Sequence, residues 1–353
     1  MTSLRIGMFT TSLPEPDRKP GGVDVLIDRL ANHLVALGHD VRVFTYSPPP
    51  AGASYVVRRL TPSHWRHQKL PRMFMVPLAL NRLDLGGLDV LHLHGDDWFF
   101  VRRRLPTVRT FYGSALDELR TATSWRRRAS QALVFAFELL SARLATATYG
   151  LIPGDGRWYR TRGSLGCGVD VSAPLGNRAS EPTVLFIGTW HGRKRGRELA
   201  AAFESHVLPS SPDAKLVMVS DEAADAPWIE HVTRPTDVEL RKRLAEAWVF
   251  CLPSSYEGFG IPYLEAMAAG TPVLATPNPG ADHLLRGGLD GVITEIADLG
   301  PALRRLLEEE QRRAALTRAG LLRAEAFTWH EVCEAHLAAY QQAIAAYRRG
   351  GAR

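Results

Sequence analysis

Cysteine is scarce in this chain of 353 residues: Cys167, Cys251 and Cys333 are the full set. They are scattered without metal-binding spacing, so the sequence predicts core thiols in a reducing cytoplasm rather than disulfides. Long apolar runs are missing too. None reaches the roughly 18 residues that a membrane-spanning helix needs. The N-terminus passes directly into a strand, LRIGMF, and no signal peptide is expected. That strand is not followed by G-x-G-x-x-G, and its turn into the first helix is far too long for a dinucleotide fingerprint. There is no recognisable DNA- or RNA-binding motif, and the basic residues do not interleave with aromatics. Both observations argue against nucleic acid as a partner.

What is present is ordinary for a globular protein: 45% apolar and 23% charged residues. The length suits two domains better than one core. The formal net charge is +6, carried largely by arginine. Such a balance favours a phosphorylated ligand or an acidic lipid surface. Two arginine triplets carry part of it, Arg102-Arg103-Arg104 and Arg126-Arg127-Arg128. The second lies in the first turn of a helix predicted over 126–144, where cations oppose the helix dipole. Each triplet reads either as a solvated face or as a contact to an anionic membrane or acceptor.

Apolar periodicity alternates strands with helices along both halves, an α/β pattern. Behind Gly21-Gly22, the residues Val23, Leu26, Ile27, Leu30, Ala31 and Leu34 recur at helical spacing. A glycine pair at a helix start permits close approach by a diphosphate or an acceptor. The bland alternative is a plain turn. A buried strand over 89–93 runs into His94-Gly95-Asp96-Asp97. Ligands of open α/β sheets bind at such C-terminal edges. His94, Asp96 and Asp97 are therefore acceptor-side candidates, against the reading of a solvated loop with a core histidine. A polar run rich in Pro and Gly over 172–182 reads as a linker.

The most informative stretch is 254–275, SSYEGFGIPYLEAMAAGTPVLA. A strand precedes it. The loop Glu257-Gly258-Phe259-Gly260 leads into a short helix with Pro262 where a first helical residue belongs. Gly270 closes that helix and another buried strand follows. Glu257 and Glu265 stand eight positions apart. The amides at this helix start suit a phosphate.

This stretch resembles the E-x7-E signature of the retaining, family 4 glycosyltransferases of the GT-B fold. The resemblance implies two Rossmann-like domains facing a central cleft. It places an acceptor-binding domain at 1–172, a nucleotide-sugar-binding domain at 173–330, and a C-terminal helix at 331–353 that crosses back. It implies Glu257 beside the donor sugar and Glu265 on the nucleotide ribose. Amides of Gly258, Phe259, Gly260 and Ile261 would hold sugar and phosphates, with Gly21 and Gly22 facing the phosphates. Backbone atoms of Val232 and Thr233 would hold the base.

Two positions depart from the family. After the strand over 107–111 the family commonly has a histidine; here stands Tyr112. In the loop Gly188–Gly196 the family has an Arg after the first glycine and a Lys before the last. This chain has Thr189 and Arg195 there, with the charge regrouped as Arg193, Lys194 and Arg195. At least one of Lys194 and Arg195 is expected to contact the β-phosphate, a guanidinium by bidentate bonding, with Arg193 and Thr189 beside them on the donor. No D-x-D pair lies where it could hold a diphosphate, so neither metal nor other cofactor is expected; the nucleotide-diphosphate sugar is a co-substrate. The expected acceptor is a small molecule, glycan or lipid. The expected location is cytoplasmic, with peripheral membrane contact at the inner face if the acceptor is lipid. The alternatives are a non-catalytic nucleotide-sugar-binding protein and a GT-B epimerase or phosphorylase.

Overall fold

The computed structural model describes residues 3–16, 21–121, 124–154, 157–171 and 177–350. The chain divides into two compact units, Met1–Gly168 with Trp329–Arg353, and Val169–Thr328. The boundary expected between 172 and 173 lies outside the described residues.

The first unit carries β1 (Arg5–Phe9), α1 (Gly22–Ala36), β2 (Asp40–Thr45), β3 (Val56–Arg59), α2 (Lys69–Ala79), β4 (Val90–Leu93), β5 (Thr107–Thr110), α3 (Ala115–Thr121), α4 (Trp125–Leu144) and β6 (Ala147–Tyr149). Its six strands are parallel, in the order β3-β2-β1-β4-β5-β6. Side chains of β4 and β5 are buried throughout, as expected for central strands covered on both faces. The α1 stripe expected from spacing is the buried one, through Leu26, Ile27, Leu30, Ala31 and Leu34. Across the sheet, Phe9, Phe44, Leu91, Leu93 and Phe100 pack with Val76 and Leu80.

The second unit repeats the plan. It contains β7 (Thr183–Ile187), α5 (Gly196–His206), β8 (Lys215–Val219), β9 (Ile229–Val232), α6 (Asp237–Glu246), β10 (Val249–Leu252), α7 (Ile261–Ala268), β11 (Val273–Ala275), α8 (Pro279–Leu284), β12 (Val292–Ile293), α9 (Leu299–Glu308) and α10 (Glu310–Glu325). The order is β12-β11-β10-β7-β8-β9, again all parallel. Counted from its own first strand this is the same 3-2-1-4-5-6 arrangement, the doubly wound Rossmann order. In each sheet the order reverses beside the first strand, between β1 and β4 and between β7 and β10. Crevices that bind ligands open there, at the carboxyl ends of the strands.

The Arg/Glu pattern over 301–324 taken alone suggests a single amphipathic surface helix, yet the chain breaks at Glu309, φ −93° and ψ 84°. Arg313 reaches back to the carbonyls of Leu306 and Leu307, at 2.8 and 2.6 Å, which satisfies the end of α9. Because α9 buries Leu299, Leu303, Leu306 and Leu307, it is a core element and only α10 is superficial.

The last helix, α11 (Trp329–Gly350), belongs to the first unit. It buries Trp329, Val332, Cys333, His336, Leu337, Tyr340 and Ala343. Trp329 stacks on His33 of α1 with ring centroids 4.8 Å apart. Gly168 makes room for that indole, since a Cβ there would lie 2.3 Å from it. Among the described residues no helix is long and apolar enough to cross a membrane.

Candidate active site

Two loops of the second unit meet at its switch point, one after β7 and one after β10. In the first, Gly192–Lys194 form a single 3₁₀ turn and Arg195 takes the left-handed conformation, φ 58° and ψ 41°, as N-cap of α5. In the second, Glu257 is buried, 7% exposed. The Glu257 carboxylate accepts from Arg193 Nη1 at 2.7 Å and lies 2.7 Å from Lys194 Nζ. Arg193 also donates to the Tyr256 carbonyl at 2.6 Å, and the Arg193 carbonyl accepts from Ser255 N at 2.8 Å. The loops are thus tied through backbone and side chain alike. Two cations on one carboxylate offset its desolvation, and the cluster places positive charge where a helix begins.

Of the three adjacent cations, the structure brings Arg193 and Lys194 onto Glu257, while the left-handed turn at Arg195 ends the 3₁₀ segment and starts α5. The Thr189 hydroxyl donates to the His191 carbonyl at 2.8 Å.

The glycine loop is shaped by local sterics. Gly260 is the N-cap of α7 at φ 87°, ψ 48°. A Cβ there would sit 2.4 Å from the Tyr263 ring, so both conformation and space demand glycine. The helix begins at Ile261, one residue before Pro262. Phe259 turns its ring inward against His283 and Phe327, which leaves its backbone as the part a ligand can meet. Glu265 lies off the buried face of α7, which is made by Tyr263, Leu264, Ala266, Met267 and Ala268. Helical side chains tilt toward the N-terminus, so Glu265 leans toward the loop that carries Glu257. Val232 and Thr233 sit at the C-terminal end of edge strand β9, where the Val232 carbonyl accepts from Ser220 N at 3.3 Å.

Sequence reasoning missed the support beneath this loop. Buried Asn278 caps α8 by accepting from Ala281 N at 2.9 Å, and donates to the carbonyls of Ser254 and Thr276 at 3.2 and 2.8 Å. Gly280 donates its N–H to the Glu257 carbonyl at 2.8 Å, and a Cβ on it would lie 2.6 Å from the Phe259 carbonyl oxygen. The signal was available as Asn278-Pro279-Gly280, a cap followed by a helix-starting proline.

In the first unit the acceptor candidates separate. His94 directly follows β4 and its Nδ1 is 2.5 Å from the hydroxyl of Tyr112, two residues past β5. His94 packs on His92 with ring centroids 3.9 Å apart. His92 in turn bonds Tyr340 of α11 and Thr110, each at 2.8 Å. Burial, then the charges of His336 and Arg109, holds His94 well below the usual imidazole range; burial likewise raises the Tyr112 phenol. The pair is a neutral imidazole and a neutral phenol. Asp96 adopts φ 50° and accepts from Thr11 Oγ1 at 2.5 Å and from Arg72 Nε at 2.7 Å. Asp97 is corrected: it is fully buried, with Arg103 and Arg109 each 2.9 Å away and Ser141 donating at 2.7 Å. That carboxylate holds α4 and the loop after β4 to the sheet. At the start of α1, Gly21 is the N-cap with φ −73°, and its N–H donates to Asp24 at 3.2 Å; Gly22 is the first helical residue.

Two Rossmann sheets, and a cation–glutamate–glycine loop at the switch point of the second, define a glycosyltransferase of the GT-B architecture. Two family profiles match the chain. "Glycosyltransferase Family 4" covers residues 20–149 and "Glycosyl transferases group 1" covers residues 181–309. The phosphatidyl-myo-inositol mannosyltransferase of Mycobacterium leprae is 27% identical over 96% of this chain and 96% of its own. The GDP-mannose:cellobiosyl-diphosphopolyprenol alpha-mannosyltransferase of Komagataeibacter xylinus is 29% identical over 76% of this chain and 75% of its own. Among solved structures, the sucrose-phosphate synthase of Thermosynechococcus elongatus superposes with a TM-score of 0.76 at 20% identity, covering 97% of this chain and 100% of that one. The chain belongs to the family 4, group 1 glycosyltransferases.

Proposed function

We propose that the chain is a retaining transferase that moves a hexose, mannose by analogy with the mannosyltransferases it resembles, from a nucleoside-diphosphate sugar to a hydroxyl of a glycan or lipid. The observation that carries this reading is the meeting of Arg193, Lys194 and Glu257 at the switch point of the second sheet, within 2.7 Å. In this reading Arg193 and Lys194 take the diphosphate. Amides of Gly258, Gly260 and Ile261 add donors at the start of α7. Glu257 is then next to the sugar carbon, and Glu265 binds the ribose. The acceptor oxygen bonds to that carbon on the face from which the diphosphate departs. A phosphate oxygen of the leaving group takes the acceptor proton. Charge on the leaving diphosphate is met by protein cations and amides, so the reading is metal-independent. At the first unit, Asp96 and the His94–Tyr112 pair are the acceptor-side groups.

Preorganised charge of this kind is worth roughly 3 kcal/mol per donor group in the transition state. Glu257→Ala is expected to lower transfer by about a hundredfold or more in a chain that still folds but melts at a lower temperature, since Arg193 and Lys194 lose their shared carboxylate. The assay is nucleoside diphosphate release from a GDP- or UDP-sugar in the presence of acceptor. Wild-type turnover in that variant contradicts the assignment. Release that needs no acceptor points instead to a hydrolase.

A further inference from the structure

Among the described residues, seventeen large apolar side chains are exposed. Eight of them fall on one stretch of the first unit: Leu70, Phe74, Met75, Leu78, Val101, Trp125, Leu133 and Leu140. Those of the second unit are scattered singly, which is usual for a surface. A cluster is not usual in a monomeric soluble protein.

The cluster has a helical logic. α4 is 20 residues long, yet Ser141 is its one buried residue among those described. Its outward positions include Trp125, Ala129, Ala132, Leu133, Ala136 and Leu140. These recur at helical spacing and make an apolar stripe along the helix. Trp125, at 75% exposed, begins it. On α2, Leu70, Phe74, Met75 and Leu78 form a second stripe. The two helices touch where Phe74 stands edge-on to Phe137, ring centroids 6.0 Å apart.

Cations frame both stripes. Arg126, Arg127 and Arg128 follow Trp125, and the Arg126 guanidinium lies over the indole at 5.6 Å. Lys69 precedes Leu70, and exposed Arg102 and Arg104 follow Val101, whereas Arg72 is held on Asp96 at 2.7 Å. Residues 69–83 contain no acid, and 124–145 contain Glu138 alone, whose carboxylate is tied inside to Tyr159. The run of cations in the first turn of α4 opposes the helix dipole, so helix stability does not explain it. One acid meets this rim, Glu118 of α3 at 3.7 Å from Arg127, and the cations outnumber it; apolar side chains beside a tryptophan, rimmed by such an excess of positive charge, match the interfacial zone of an anionic bilayer.

We propose that α4 and α2 form a docking surface for an anionic lipid bilayer, with Trp125, Leu133, Leu140, Leu70 and Leu78 entering the headgroup–acyl boundary and Arg126–Arg128 meeting lipid phosphates. This goes beyond the transfer reading and stands without it, because none of these residues lies at the donor or acceptor groups.

The test is co-sedimentation of the full chain with vesicles of zwitterionic lipid, alone or with about one third anionic phospholipid. Binding is expected with the anionic vesicles and is expected to weaken with added salt. Trp125→Ser/Leu133→Ser and Arg126→Glu/Arg127→Glu/Arg128→Glu should each reduce it by about tenfold or more. Thermal melting confirms that both variants fold, and donor-dependent nucleotide release should stay at the wild-type level in both. Vesicle binding that either folded variant retains, or no vesicle binding by the wild-type chain, overturns the proposal. So does a wild-type dimer that becomes a monomer in the Ser variant, which would assign the surface to a second copy of the chain.

Discussion

Gly260 has two independent reasons to be glycine: a left-handed backbone and a Tyr263 ring 2.4 Å from where a Cβ would stand. Gly260→Ala is expected to cost about 2–4 kcal/mol of stability, measured by denaturant unfolding. It should also weaken nucleotide binding, because α7 begins from that residue. An alanine variant of wild-type stability would show that the loop is not held as described. Residues of this kind were legible in the sequence, since glycine, proline and capping chemistry act locally. The glutamate spacing of 257 and 265 was legible for the same reason. Asp97 was not: its neighbours Arg103, Arg109 and Ser141 come from a loop, a strand and a helix that only the fold brings together. Nor was it legible that Arg193 and Lys194 would be the cations on Glu257, because three adjacent cations differ only in the backbone angles of one turn.

Helix α11 is held to the first sheet by a group of aromatic and imidazole side chains. His336 on α11 is buried, and burial lowers it to about 4. Facing it are His92 and His94 from β4, with Arg109 on β5 and Tyr340 one turn along α11; His92 is also held well below its ordinary value, first by burial. These imidazoles are neutral when folded and take protons near pH 6.5 when unfolded. The unfolded chain thus binds more protons between 6.5 and 4, so stability is full above about 6.5 and falls as pH drops through that window. For His336 alone the loss is about 3 kcal/mol. Denaturant titrations from neutral to acid pH are expected to fall less steeply in His336→Leu than in wild type. Equal slopes would remove His336 from the account. The elements show where pattern stops informing. The stripe of α1 was readable because one face repeats every third or fourth residue. The division of α9 from α10 was not, since it depends on Arg313 reaching the carbonyls of Leu306 and Leu307.

At the scale of the whole molecule, two sheets with the same strand order carry different chemistry at the same topological point. The first unit offers neutral groups and Asp96 at the ends of β4 and β5. The second offers two cations on Glu257 between β7 and β10. That division fits an enzyme in which one sheet handles an uncharged hydroxyl acceptor and the other a charged donor. Its most direct test is a calorimetric titration of the intact chain with GDP, UDP and ADP, each set against its monophosphate. At least one diphosphate is expected to bind about tenfold tighter than its monophosphate, an advantage of roughly 1.4 kcal/mol, and Arg193→Ala/Lys194→Ala should abolish that advantage. Equal affinity for mono- and diphosphates, or an advantage that survives in the double variant, would contradict the assignment of this loop to a nucleotide diphosphate.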